Sequence, residues 1–509
     1  MPGKGRIGDQ KMSDAGVARA TSDRVLSRRT VAISICVCVF IFVYYWALLS
    51  DGRFLEVEPV RYGLVFNSMI DYMSHGRFDV DPDIVLKEGF FRDGHTYAYF
   101  GPVPALLRLP LLIWPRFSGV DFTVISCAIA ATTATVANLG AVLQARRVIV
   151  GTPYVRRVML FAMAVVIFGG PQLQFLRPSI FQESLYWAAA IAAIFVMLAF
   201  RWCIDIAGRR SRHLIAMAVL AGLCLLTRVS TSIGLYAACG GIMLAQLIAA
   251  ARRDRASIIG AIRMLVMPSL ILLSCMVIVG YINYERWGSP LTFQDYKYYN
   301  SMLPDDPVFD IIANYGYFNF RRLPFGLSYF FVPIWTIIGS DGHFLFRAFM
   351  DRVMYIVELP PATFLASDML LCFQVCLGVV SLSRGRMTGT DTLTARLIVA
   401  GLAIPSVLIL IAIALTFRYR MEFYPLFEFL GLFGLISLAR KFASHPRLLT
   451  NVCGLMVVVS IVSSHAFLFA YKMSPWGYSL DVEKTGWAAS YREYLHIKYP
   501  GLERRLESR

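Results

Sequence analysis

Long apolar runs recur along the whole chain and constrain its fold more than any other feature. The first, from Thr30 to Leu49, has 20 residues without a charge, which is enough for a helix to cross the hydrocarbon core of a bilayer. The sequence therefore predicts an all-α polytopic membrane protein with about 11 transmembrane helices, within a range of 10–13. The ten further runs lie near residues 120–143, 158–177, 183–201, 213–228, 231–251, 263–283, 361–382, 394–416, 422–439 and 449–470.

Composition and charge agree with this prediction. The chain is 57% hydrophobic and 16% charged, whereas soluble domains have about 25% charged residues. Its formal net charge of +16 is spread over short loops, and every second loop is rich in Arg, which predicts cytoplasmic loops and not a nucleic-acid surface. The ten cysteines lie in or beside apolar runs, so neither a disulfide framework nor a zinc site is predicted.

The charge pattern also predicts the domain organisation. Residues 1–29 form a basic cytoplasmic tail, residues 30–470 the transmembrane domain, and residues 471–509 a tail on the outer side. Two large outer loops are expected, at 50–118 and 284–360, and the second is rich in aromatic residues that suit a membrane interface and also stack on sugars. The proline-containing apolar segments 104–116 and 323–339 are predicted to lie in the interface or to dip into it.

The first outer loop contains an unusual concentration of acids for such a basic chain. Nine carboxylates lie between residues 51 and 93. If this loop faces away from the cytoplasm, it is the natural place for a carboxylate that takes a proton at the membrane surface. The segment GRFDVDPD, with Asp79, Asp81 and Asp83, could alternatively form turns or a calcium site.

Further charges are expected at the outer ends of the spans. They are Arg177 and Glu183 in FLRPSIFQE, Arg228 in LLTRVST, and Arg418 and Arg420 in FRYRMEFYP. Charges at membrane level are costly and often functional, and an Arg fork binds phosphate well. Each also has a structural interpretation, because Arg side chains can pair at a helix end or extend to lipid headgroups and Glu183 can stabilise a helix N-terminus.

Other catalytic patterns are missing from the sequence. The chain has no Walker motif, no G-x-S-x-G motif and no pair of histidines four residues apart. These absences disfavour nucleotide-dependent chemistry, serine hydrolases and helix-borne metal sites.

Five short motifs resemble the GT-C superfamily of polytopic glycosyltransferases, nearest to its bacterial mannosyltransferase-like and aminoarabinose-transferase-like branch. They occur in the expected order and on the predicted outer side. The motifs are DGRFLEVEPVRYG after the first span, DGHTYAYFGPVPALLRLP with Tyr97 and Tyr99, GLCLLTRVS from Gly222 to Ser230, YINYERWGSPL from Tyr281 to Leu291, and the Arg-Tyr turn from Arg418 to Pro425.

This resemblance implies a GT-C-like bundle, a polyprenyl-phosphate sugar donor and an inverting displacement without a nucleotide. It implies that a carboxylate of the first loop deprotonates the acceptor, with Glu58 or Asp51 and then Glu56 as candidates, and that Asp79 or Asp81 orients the acceptor. It also implies an Arg that holds the leaving phosphate. Arg420 and Arg418 are favoured for this role, followed by Arg228, with Glu183, Arg177, Tyr97 and Tyr99 lining the cavity.

The acceptor implied is a glycolipid, a glycan or a protein, and a divalent cation is a possible cofactor. No metal ligands are assigned. The expected location is a bacterial inner membrane, with the active site on its periplasmic face. Two other functions stay open, a transporter or flippase of lipid-linked glycans and an O-antigen-ligase-like enzyme, although the spans carry few charges near mid-depth, where transport sites lie.

Overall fold

Eleven helices, labelled α1 to α11, coincide with the eleven predicted spans. The computed structural model describes residues 28–52, 54, 62–149, 154–170, 177–300, 306–332, 352–356, 362–385, 390–442 and 444–472. The helices are α1 Arg28–Leu49, α2 Thr123–Ala145, α3 Val155–Phe168, α4 Ile180–Ile204, α5 Ser211–Leu225, α6 Val229–Ala251, α7 Arg255–Trp287, α8 Met369–Ser383, α9 Thr392–Leu410, α10 Tyr424–Phe442 and α11 Pro446–Lys472.

Seven of these helices are long and apolar enough to cross a membrane: α1, α2, α4, α6, α7, α9 and α11. Helices α3, α5 and α8 have 14 or 15 residues, and α10 has 19. The predicted class, an all-α polytopic membrane protein, is confirmed, whereas the count of eleven crossings stays a prediction. The predicted tails at 1–29 and 471–509 lie almost entirely outside the described residues.

Small residues allow the bundle helices to approach closely. A Cβ atom on Gly434 of α10 would lie 1.8 Å from the carbonyl oxygen of Gln374 in α8, and one on Gly401 of α9 would lie 2.4 Å from the amide of Ala238 in α6. Lipid tails are as apolar as leucine, so helices in a membrane gain from such close van der Waals contact and not from the hydrophobic effect. In the α8–α10 and α6–α9 pairs, the backbones of the two helices are therefore in direct van der Waals contact.

The first outer loop folds into short elements instead of long ones. A two-stranded antiparallel hairpin, β1 Phe90–Arg92 and β2 His95–Tyr97, turns through Asp93 and Gly94, both at positive φ. A left-handed backbone conformation at these two residues allows a tight turn between the two strands. The other elements of this loop are the helices Val65–Ser74, Pro82–Val85 and Val103–Leu106 and the 3-10 helices Leu86–Glu88, Leu109–Ile113 and Phe117–Gly119.

The two segments predicted to be interfacial form short helices where they are described. In the first segment, the 3-10 helix Leu109–Ile113 exposes apolar side chains, with Ile113 at 90% exposure. This exposure suits a segment that lies against lipid. In the second, the described part is the nine-residue helix Leu323–Phe331 and Val332, and residues 333–351 are not described.

The second outer loop packs on the bundle through backbone pairing. Its described elements are the 3-10 helix Tyr296–Tyr298, the helix Pro307–Tyr315, the 3-10 helix Phe320–Arg322, the helix Leu323–Phe331 and the strand Tyr355–Ile356. That strand pairs in parallel with Ala414–Leu415, which follows α9. Before α8 lies the helix Phe364–Ser367, and before α10 the 3-10 helix Phe417–Glu422.

A fully buried arginine fixes this region. Arg322 donates hydrogen bonds to the carbonyl oxygens of Val353, Tyr317, Ile411 and Gly316. Backbone carbonyls thus replace the water that the guanidinium loses on burial. Arg322 therefore ties three separate stretches of the outer side to one another.

Candidate functional site

The 3-10 helix Phe417–Glu422 distributes its charged side chains over three different surroundings. A 3-10 helix has three residues per turn, so side chains near one another in sequence point in different directions. Arg418, Arg420 and Glu422 accordingly contact different parts of the bundle. Their contacts decide which of them can meet a ligand.

Glu422 joins this 3-10 helix to the turn between α5 and α6. Its carboxylate is 1% exposed and accepts hydrogen bonds from Arg228 Nε at 2.6 Å, Ser230 Oγ at 2.5 Å and Thr231 Oγ1 at 2.8 Å. Three donors around a buried carboxylate satisfy most of its lone pairs. The turn that carries Arg228 is thereby held in one position, while the Arg228 side chain keeps 21% exposure.

Arg420, which the sequence favours as the phosphate ligand, forms a buried ion pair inside the protein instead. Its side chain is 0% exposed, donates to Asp368 Oδ2 and Ser367 Oγ at 2.9 Å each, and lies 4.1 Å from the ring centroid of Phe364. Removing a buried ion from its partner is very costly. Arg420 is therefore an internal ion-pair partner in this conformation, and the prediction that it leads phosphate binding does not agree with the geometry.

Arg418 and Arg228 instead face the same aromatic ring. Half-buried Arg418 lies 5.9 Å from the centroid of Tyr419, and Arg228 lies 5.6 Å from it. Arg418 also stacks on Phe181, in the first turn of α4, at 4.6 Å. Aromatic faces attract guanidinium groups and fix their plane. Two of the three predicted phosphate ligands are thus brought together around Tyr419.

Two further tyrosines lie within electrostatic reach of Arg418. Burial raises the pKa of Tyr296 to about 12, and burial also raises the pKa of Tyr99, while the charge of Arg418 opposes both shifts. Both hydroxyl groups therefore keep their protons at neutral pH and can donate hydrogen bonds. Arg418, Arg228, Tyr99, Tyr296 and Tyr419 are called the Arg418 cluster below.

The segment with the candidate bases is flanked in the chain by residues of two hydrophobic cores. Glu56 and Glu58 lie outside the described residues. Before them, Leu49 belongs to the same buried core as Phe417 and Met421, and exposed Asp51 follows at the end of α1 with a φ of 52°. After them, Tyr62, Tyr99 and Phe181 pack against one shared core. The described chain therefore enters and leaves this segment through two buried cores, one of which includes Phe417, the residue before Arg418, and the other of which packs against Phe181, which Arg418 contacts.

The two other predicted acids have structural partners in the first loop. Asp79 accepts hydrogen bonds from Arg77 and contacts His95 Nδ1 at 3.0 Å. Burial would raise the pKa of Asp79, but its hydrogen bonds to Arg77 and His95 outweigh burial and lower it. Asp81 is half-buried and caps the helix Pro82–Val85 by accepting from the Asp83 amide.

Glu183 does not line an open cavity, which corrects that prediction. Its side chain is 0% exposed, and both carboxylate oxygens accept from Arg108 Nη2 at 2.8 Å, with Ser126 Oγ at 2.7 Å. The N-cap of α4 is Ser179, not Glu183. Arg177 is half-buried two residues before that cap, and so lies at the same end of α4 as Phe181.

Tyr97 belongs to an aromatic wall that connects the first loop with the second. Its ring lies 6.0 Å from Trp287, which packs 5.4 Å from Phe90, and Phe90 lies 4.9 Å from Tyr299. The Tyr299 hydroxyl donates to Glu88 Oε2 at 3.0 Å. Glu88 is therefore a first-loop carboxylate that the structure positions near Tyr99, since its charge raises the pKa of that tyrosine.

Sequence reasoning missed two carboxylates inside the bundle. Asp368, the partner of Arg420, precedes α8, and Glu428 lies in the first half of α10. Glu428 stands within the predicted span 422–439, so a closer inspection of that run would have found it. Within the described ranges, no group of three or more His, Cys, Asp or Glu residues is arranged to hold a metal ion.

Two of the sequence motifs meet at a close backbone contact. A Cβ atom on Gly101 would lie 2.3 Å from the carbonyl oxygen of Leu226, and the Val103 amide donates to that same oxygen. We expect Gly101→Ala to displace the turn that carries Arg228 and to destabilise the protein by about 1–3 kcal/mol. Thermal unfolding in detergent measures this. Gly119→Ala is the control, since no atom lies within 4 Å of its added Cβ. Equal effects of both variants would contradict the expectation.

No protein-family model and no curated protein matches the sequence. Among solved structures, the chain is similar to the apo oligosaccharyltransferase of Archaeoglobus fulgidus, with a TM-score of 0.47 and 13% identity over 90% of this chain and 59% of that chain. It is also similar to the archaeal oligosaccharyltransferase AglB in complex with an inhibitory peptide and a dolichol-phosphate, with a TM-score of 0.47 and 14% identity over 88% and 56% of the two chains.

A third similar structure is ArnT from Cupriavidus metallidurans bound to undecaprenyl phosphate. Its TM-score is 0.42 at 12% identity, over 87% of this chain and 76% of that chain. The chain spans little more than half the length of the archaeal protein. The functional argument therefore depends on the residues of this chain.

Proposed function

We propose that the chain is a membrane glycosyltransferase that moves a sugar from a polyprenyl-phosphate donor to a hydroxyl or amine acceptor. The acceptor class is a glycolipid, a glycan or a protein, and the reaction takes place at the outer face of a membrane, in a bacterium the periplasmic face of the inner membrane. The observation that carries this proposal is the Arg418 cluster, in which Arg418 and Arg228 both lie within 6 Å of the ring centroid of Tyr419.

The cluster suits a phosphate that gains charge as the sugar leaves. Arg418 supplies positive charge, Arg228 supplies a partly exposed guanidinium whose charge Glu422 balances, and Tyr99 and Tyr296 supply protonated hydroxyl groups. Donors that are already oriented stabilise a developing anion without reorganisation. The sugar then departs from the phosphate with inversion at its C1 atom, and the lipid-linked donor needs no nucleotide.

A first-loop carboxylate would take the proton of the acceptor. Glu58, Asp51 and Glu56 are the proposed candidates. A base in this segment is supported by the core that Leu49 shares with Phe417 and by the core against which both Tyr62 and Tyr99 pack. Glu88 is added as a fourth candidate because of its position near Tyr99. A carboxylate must lie within hydrogen-bond reach of the acceptor proton to act as a general base.

The aromatic wall suits the binding of a glycan. Tyr97, Trp287 and Tyr299 present rings between the first loop and the end of α7. Of these rings Tyr97 and Tyr299 are half-buried and can meet a sugar, whereas Trp287 is buried and supports them. Flat aromatic faces bury the apolar faces of sugar rings, and the tyrosine hydroxyl groups can hydrogen-bond to sugar hydroxyl groups. We assign this wall to the acceptor, with Asp79 and Asp81 holding the hairpin and the loop that carry it.

The test is sugar release from a radiolabelled sugar on polyprenyl phosphate, presented to the detergent-purified protein with mixtures of acceptors. Wild type should release sugar and transfer it to an acceptor. The variants Glu58→Gln, Asp51→Asn, Glu56→Gln and Glu88→Gln are assayed separately, with binding of the donor lipid measured for each. We expect one of them to lose turnover while it keeps donor binding, which identifies the base.

Bound donor without turnover in any acceptor mixture would contradict the proposal. The alternative is then a transporter or flippase of lipid-linked glycans, and one observation favours it. Glu428 is a carboxylate within α10, four residues after the helix begins, and transport sites use charged groups at membrane depth. Movement of intact donor lipid across a vesicle membrane, without sugar release, would establish that alternative.

A further inference from the structure

A buried arginine at the outer end of α7 has no part in the reaction proposed above. Arg286 is 3% exposed, and its Nη1 donates to the carbonyl oxygen of Phe100 at 3.0 Å. Its Nη2 contacts Met69 Sδ at 3.8 Å, and its own carbonyl oxygen accepts from Arg92 Nη1 at 3.0 Å. Arg286 therefore joins α7 to three parts of the first outer loop: the hairpin, the helix Val65–Ser74 and the segment that follows the hairpin.

The charge of Arg286 has no countercharge in the described part of the chain. No described carboxylate forms an ion pair with it, and its Nε is buried without a hydrogen-bond partner. By contrast, the buried side chain of Arg420 pairs with Asp368 at 2.9 Å. A guanidinium stays protonated in proteins, and its burial without a countercharge is costly. Stability alone would favour an apolar residue at this position, so a functional reason for the arginine is expected.

The carbonyl oxygen that Arg286 holds belongs to the segment that carries Tyr99. Tyr99 is the residue before Phe100 and a member of the Arg418 cluster. Gly101, the residue after Phe100, packs against the turn that carries Arg228. A Cβ atom on Gly101 would lie 2.6 Å from the carbonyl oxygen of the residue before Arg228. The hydrogen bond at Phe100 therefore lies between two contacts of the candidate phosphate site.

Apolar packing joins the same parts of the molecule. Val103 and Leu226 share one buried core with two residues of α7. The ring of Phe100 lies 5.6 Å from the ring of Phe181, on which Arg418 stacks. Because a close-packed interior transmits displacements, a shift of Phe100 would also move the groups that hold Arg418.

We propose that Arg286 is a positioning residue of the glycosyltransferase, which holds Tyr99 at the leaving phosphate through its hydrogen bond to Phe100. This inference rests on the function proposed above. A charged donor makes a hydrogen bond about twice as strong as a neutral donor does, so the guanidinium fixes the Phe100 carbonyl more firmly than a neutral side chain would. Displacement of a catalytic group by about 1 Å can lower the rate by about 100-fold. Arg286 touches neither donor nor acceptor in this assignment and acts through Tyr99.

The test compares Arg286→Met with wild type in the sugar-release assay. The rate constant kcat, binding of the donor lipid and thermal unfolding are measured on the same detergent-purified full chain. We expect kcat to fall about 10–100-fold, with donor affinity within about threefold and Tm within about 5 °C of wild type. The Tm changes little because the removal of a buried unpaired charge offsets the lost hydrogen bond. Arg286→Lys, which keeps a charged donor, should recover part of kcat.

The matched control is Arg209→Met, which removes a guanidinium at the opposite end of the bundle. Arg209 is 14% exposed and pairs with Asp391 at 2.7 Å, so its loss should lower Tm but leave kcat within about twofold of wild type. An unchanged kcat in Arg286→Met would overturn the proposal. So would a loss of kcat that only follows a loss of Tm, since a purely structural role requires that. Absence of turnover in wild type would instead overturn the proposed function, and this inference with it.

A double variant tests the route through Tyr99. If Arg286 acts by holding Tyr99, Arg286→Met combined with Tyr99→Phe should lose less kcat than the product of the two single losses. Losses that multiply would show that Arg286 acts independently of Tyr99 and would overturn the proposal. If Arg286→Met does not fold, Arg286→Lys combined with Tyr99→Phe gives the same comparison.

Discussion

Arg418→Gln is expected to lower turnover of the lipid-linked sugar by about 10²–10³-fold, with donor binding much less affected. The charge on the departing phosphate is greatest in the transition state, so a guanidinium beside it lowers kcat more than it tightens binding. Arg418 is half-buried between Phe181 and Tyr419, and these rings hold its plane. Arg418→Lys should recover part of the loss, since it restores the charge but not the planar fork.

The control for this experiment is Arg321→Gln. Arg321 is an exposed arginine of the second outer loop that lies 6.0 Å from the ring of Tyr315. Its removal changes the outer charge by the same amount, but it should leave turnover within about twofold, since exposed charges are screened. If Arg418→Gln retains normal turnover, the Arg418 cluster does not hold the leaving phosphate.

Arg420 is unsuitable for the same assay, for a physical reason. Its removal would leave Asp368 buried without a cation in the membrane domain. Such a variant is expected to lose about 3–5 kcal/mol of stability. A loss of turnover would then report unfolding and not the loss of a phosphate contact.

The sequence was sufficient to predict the eleven helices, because a span is a local property of about 20 residues. All eleven coincide with a helix. The differences lie at the helix ends, as for Met369–Ser383, which begins eight residues after the start of the predicted run 361–382. The boundaries depend on packing and on proline-containing turns, which a hydropathy pattern does not contain. The hydropathy pattern could not predict the short elements of the first outer loop either. The two strands of that loop have only three residues each.

Side-chain pairing was the part that the sequence could not supply. Arg228 and Glu422 are 194 residues apart, and Arg108 and Glu183 are 75 apart. Arg418 and Arg420 were indistinguishable in the motif FRYRMEFYP, and only the direction of each side chain from a 3-10 helix separates them. The motifs nevertheless identified the right neighbourhood, since GPVP and LLTR touch at Gly101 and Leu226.

Breaking the buried pair of Arg108 and Glu183 should destabilise the protein as strongly as breaking the pair of Arg420 and Asp368. Their side chains are 4% and 0% exposed, and Arg108 also donates to Asn67 Oδ1. Glu183→Gln is expected to cost about 3–5 kcal/mol, because Arg108 would remain buried without a countercharge. Chemical unfolding of the detergent-purified protein, with near-UV circular dichroism as the signal, measures the loss.

The double variant Arg108→Met with Glu183→Leu separates a broken pair from a lost contact. Replacing both partners by apolar residues removes the uncompensated charge, so this protein should be more stable than either single variant. Arg77→Gln is the control, since Arg77 is 51% exposed in its pair with Asp79 and should cost less than about 1 kcal/mol. If the double variant is as unstable as Glu183→Gln, the cost arises from the lost anchoring of the first loop to α4, and the two charges are not its source.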